Sequence, residues 1–78
     1  MNRFKDPMMR GMYDRMIENA RNPNSELYNS RGLRRSGASH RNAFWAGFDG
    51  IRPVWVVNGT LGYACWRAGV DFSKEGVE

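Results

Sequence analysis

Met9, Met12, Tyr13, Met16, Ile17 and Ala20 recur at helical spacing and form one apolar stripe, while Arg10, Asp14, Arg15, Glu18 and Arg21 take the other side. Asp6 is a good N-cap residue and Pro7 suits the first helical position, where its missing N–H costs nothing. Asn22-Pro23-Asn24 ends the pattern, so a helix is predicted over 7–21. Its methionines read as a core stripe. Their mouldable thioethers would also suit a docking face.

Residues 22–38 are poor in apolar side chains and rich in Asn, Ser, Gly and Arg, which predicts a long, basic, flexible connection. Leu27 and Tyr28 are candidates to pin it, with a short turn around 25–28. From Ser39, a second cap, the pattern tightens into a predicted helix over 39–49, with Phe44, Gly47 and Phe48 on one face and Trp45 on its flank. Gly50 can close it in the left-handed region, and Pro53 opposes continuation. The stretch RPVWVVNG is ambiguous. Its valines and the Asn58-Gly59 dipeptide suit a hairpin over 53–64. Alternatively Thr60 caps a helix over 60–73 in which Leu61, Ala64, Cys65, Ala68 and Phe72 share a face. The expected fold is therefore mainly α: one small domain, 1–78, built as a bundle of about three short helices with a frayed tail at 74–78. An α+β arrangement with the hairpin is the alternative.

Two tryptophans each sit shortly before a glycine, in FWAGFDG (44–50) and YACWRAG (63–69). Helical glycine costs roughly 1 kcal/mol relative to alanine, so something must be returned. Close approach of two helices at Gly47 and at Ala68 with Gly69 would return it, with Phe44, Phe48, Trp66 and Phe72 covering the seam.

Composition narrows the function. The chain has 78 residues, a net charge of +4 and a pI near 9.8, and arginine supplies most of its 12 cations. Arginine suits planar, bidentate contact with phosphate or carboxylate, which points to nucleic acid or an acidic protein surface. Cys65 is the only cysteine, so no intrachain disulfide can form. No apolar run reaches membrane-span length and the first residues lack a signal core, so a cytoplasmic location with no membrane partner is expected.

Catalytic chemistry finds little support. Cys65 and His40 are the only nucleophile and base of the usual kind, and Cys65 falls on a predicted buried face. The carboxylates are dispersed, and Gly32–Gly37 lacks the lysine of a phosphate loop. No enzyme activity, cofactor, metal or small-molecule substrate is expected. Arg31, Arg34, Arg35, His40 and Arg41 lie within eleven residues, with Tyr28 before them and Trp45 after. Cations for phosphates beside rings for bases are what RNA recognition requires.

The run from Ala43 to Gly50, then Pro53, then Trp66 with Gly69, resembles the ribosome modulation factor family over about residues 40–72. The family's first unit is matched by Phe44, Ala46, Gly47 and Gly50, and its second by Trp66 and Gly69. The same stretch is similar to small uncharacterised phage proteins with an AFWxGFxG…WRAG pattern. The first resemblance implies a small helical protein that binds ribosomal RNA and silences translation by promoting ribosome pairing. The added helix over 7–21 is a departure from that family. It fits a second expectation, a phage-encoded inhibitor or adaptor docking on a host protein complex such as a defence system or polymerase, through exposed Trp55, Met8 and Met9.

Overall fold

The computed structural model describes residues 4–31 and 37–75. They form four helices: α1 (Pro7–Arg21), α2 (Glu26–Asn29), α3 (His40–Phe48) and α4 (Leu61–Glu75). No strand occurs among the described residues, and the hairpin alternative over 53–64 is replaced by a turn and the start of α4. The caps form as the sequence suggests. Asp6 Oδ1 accepts from the Met8 N–H at 2.9 Å, Ser39 Oγ from Asn42 at 3.1 Å and Thr60 Oγ1 from Tyr63 at 3.2 Å. Gly50, with φ of 81°, ends α3: its N–H reaches the Gly47 carbonyl at 3.1 Å, and the Ile51 N–H reaches that of Ala46 at 2.9 Å. This is the paired-bond helix end that a left-handed glycine permits.

Helix α4 packs against both α1 and α3, and α2 lies on α1. The α3–α4 crossing is where the two glycines meet the opposite backbone. A Cβ at Gly47 would stand 3.0 Å from the Trp66 carbonyl carbon, and one at Gly69 would stand 2.8 Å from that of Phe44. Beside this seam Phe44 and Phe48 each approach Phe72, with ring centroids 5.8 and 5.9 Å apart. Trp66 packs against the same core. It is half-buried, and its indole N–H donates to the Ile51 carbonyl at 2.7 Å. The methionine stripe of α1 enters the core through Met9 and Met16. Tyr13 Oη donates to Asp71 at 2.5 Å, and Arg21 pairs with Glu75, tying α1 to α4.

Two expectations about chain organisation change. The 22–38 connection includes a helical turn that buries Leu27 and Ser30. Its anchor is Trp45, placed by the sequence on a flank but only 2% exposed, whose indole N–H donates to the Leu27 carbonyl (3.2 Å) and Ser30 Oγ (3.1 Å). At the other end, Lys74 and Glu75 continue α4 rather than fraying, while 76–78 lie outside the described residues.

Candidate nucleic-acid interface

The whole net charge resides in residues 31–52, which hold five arginines against one carboxylate, Asp49; cations and carboxylates balance in the rest of the chain. Two short helices carry the front of this segment. Tyr28 is exposed on α2, Arg31 follows α2, and His40 and Arg41 lie exposed in the first turn of α3. Trp45 fastens α2 to α3 from inside, and Arg41 pairs with Glu26 at 3.2 Å at the surface. Arg41 is thus held beside α2 at the start of α3, while Arg31 reaches the other end of α3 at Phe48. Arg34 and Arg35 lie outside the described residues.

Arg31 is braced on rings. Its guanidinium carbon lies 4.9 Å from the centre of Phe48 and 5.8 Å from that of Trp45. A cation held over a ring face keeps its N–H edge available while its orientation is fixed. A second arrangement of this kind, absent from the sequence reading, involves Arg52, at 5.3 Å from Tyr63 and 5.2 Å from Trp66. Those two rings are stacked, 5.8 Å apart at 29°. Arg52 also donates to the Val56 carbonyl and, at 2.7 Å, to Asn58 Oδ1, clamping the 52–58 connection. The only local sign in the sequence is i, i+3 spacing of Tyr63 and Trp66; the Arg52 contact spans a reversal of the chain.

The anchors expected for a protein partner need correction. Met9 is buried with Phe4 and Ala64, because its stripe position turns it toward α4. Trp55 is half-buried against the main core, drawn in beside the buried Val56. Met8 is exposed as expected. The exposed apolar surface lies instead at Ile51, Val54 and Val57, with Val54 97% accessible.

Between the end of α3 and the following connection lies an open pocket of about 290 Å³, lined by Gly37, Asn42, Ala46, Asp49, Ile51, Pro53 and Trp55. Among the described residues no group of His, Cys, Asp or Glu is placed to hold a metal ion. Cys65 is sealed in the core, where burial pushes its thiol from 9.0 up to about 12 and keeps it protonated at neutral pH. His40 lies at the exposed start of α3, apart from that buried thiol. Comparison with protein families, curated proteins and solved structures yields no match.

Proposed function

We propose that this chain is a non-enzymatic binding protein that holds RNA, in the manner of ribosome modulation factors, and modulates or inhibits translation. The observation that carries this reading is Arg31 braced over Phe48 inside the segment that holds the net charge. Sequence-tolerant RNA binding combines phosphate neutralisation with aromatic rings for stacking bases, to which arginine adds cation–π contacts. The aromatic–glycine resemblance adds ribosomal RNA as the target class. Replacing Arg34 and Arg35 by alanine weakens RNA binding and flattens its salt dependence in this reading; affinity and salt slope both unchanged in that double variant would refute it.

A second reading is supported by the exposed Ile51, Val54 and Val57 beside exposed Arg52. Aliphatic side chains offer neither stacking nor hydrogen bonds to a base, so this surface suits a host protein with an acidic rim. A pull-down from bacterial lysate with and without nuclease separates the two. Ribosomal material lost on nuclease treatment favours RNA, and one stoichiometric protein that survives favours the docking adaptor.

A further inference from the structure

We infer that the pocket between α3 and the 51–55 connection receives one unpaired guanine of a bound RNA, with Asp49 reading the base. This rests on the RNA-binding reading and adds a base preference to it.

The carboxylate is the feature to explain. Asp49 is the one acidic residue in residues 31–52, and it would repel the phosphates that the neighbouring arginines attract. It also stands at the C-cap of α3, the end of a helix dipole that favours cations. Among the described residues its side chain makes no hydrogen bond or ion pair. Neither helix stability nor phosphate binding accounts for this exposed carboxylate, which lines a pocket.

The pocket selects by size and chemistry. At about 290 Å³ it falls at the small end of ligand sites, suited to a single planar group. Ala46, Ile51, Pro53 and Trp55 are the apolar residues of its lining, and Asp49 and Asn42 the polar ones. A carboxylate has two acceptor oxygens, and guanine alone presents two parallel donors, N1–H and the N2 amino group, on its Watson–Crick edge. Adenine and cytosine each offer one amino group beside an acceptor, and uracil offers one N–H between two carbonyls. Unpaired bases splayed onto aromatic side chains and read on that edge are the usual route to sequence-specific RNA recognition.

Fluorescence anisotropy with the full chain and short labelled RNA single strands tests this. The strands are uridine-rich and differ at one central position: guanosine, inosine (which lacks the N2 amino group) or adenosine. The expected order is guanosine, then inosine, then adenosine, with about tenfold between first and last. Asp49→Asn should bind all three strands alike, with the guanosine preference gone. Equal wild-type binding of the three strands overturns the pocket assignment alone, as does discrimination that persists in Asp49→Asn. Binding of none of them overturns the RNA reading together with the pocket.

Discussion

Gly47 and Gly69 are reciprocal: each lies where its own helix meets the backbone of the other, Gly47 against Trp66 and Val70, Gly69 against Phe44 and Phe48. The neighbouring atoms are main-chain atoms within helices, so they cannot turn aside for a methyl group. Gly47→Ala and Gly69→Ala should each lose at least about 3 kcal/mol of stability, at or beyond the upper end of ordinary overpacking. Gly11 is the control. It is an exposed helical position where a Cβ would meet nothing within 4 Å, and Gly11→Ala should gain about 0.5–1 kcal/mol. Urea melts of the three variants check this, and a neutral result at Gly47 or Gly69 would falsify the seam.

Trp45→Phe keeps the ring packing against Phe44 and Phe48 but removes the indole N–H shared by Leu27 and Ser30. A loss of about 1–3 kcal/mol is expected, from two buried acceptors left with fewer partners. Amide hydrogen exchange should show where it falls: faster exchange over 26–31, with α4 little changed relative to global stability.

Much of the fold was legible in the sequence because its helices announce themselves locally. The 7–21 span matches α1 at both ends, where Asp6-Pro7 and Asn22-Pro23 mark start and stop. Helices α3 and α4 fall within two residues of their expected bounds, again at caps the sequence displays. What local pattern could not show was the partner of Trp45. Leu27 and Ser30 lie 15 or more residues away in a stretch with no periodicity, so nothing in the local pattern marked a partner for a ring on a helix flank. The candidate site was harder to read for the same reason. The positions of the arginines are plain, but Arg31 over Phe48 and Arg52 over Tyr63 depend on chain reversals. Met9 shows the opposite error: its place in the apolar stripe foretold burial, and an exposed docking role conflicted with that stripe.

Cys65 should give alkaline sensitivity. Burial raises its thiol to about 12 in the folded chain, above the ordinary 9.0, so the folded state keeps a proton that the unfolded chain releases. The associated stability is fully present below about pH 9 and is lost as pH rises from there towards 12. Tyrosine and lysine titrate in the same range, so the measurement is a difference. The urea midpoint of wild type should fall more steeply above pH 9 than that of Cys65→Ala. A disulfide-exchange reagent at neutral pH should leave the native thiol untouched and modify it in urea.

Arg31→Lys keeps the charge but loses the flat group that lies over Phe48. In the RNA-binding reading, affinity should drop severalfold with the salt slope nearly unchanged. Arg31→Ala should lower affinity further and reduce the slope by about one counterion. Equal affinities for wild type and Arg31→Lys would show that the ring-backed geometry contributes nothing.

Val54 and Val56 are two residues apart and should respond oppositely, since Val54 is 97% exposed and Val56 only 3%. Val54→Ser should change stability by less than about 0.5 kcal/mol. Val56→Ala should cost roughly 1–3 kcal/mol. If the apolar surface meets a host protein, Val54→Ser should release that protein without altering the melting curve.

Trp45 closes the core with one edge and, together with Phe48, backs Arg31 from the outside. Fixing a long arginine side chain sacrifices rotamer entropy, a debit that most binding surfaces incur when the ligand arrives. Here much of that ordering is settled when the chain folds. In the RNA-binding reading the cation meets its ligand already aimed, and any change that loosens the core around Trp45 costs affinity as well as stability.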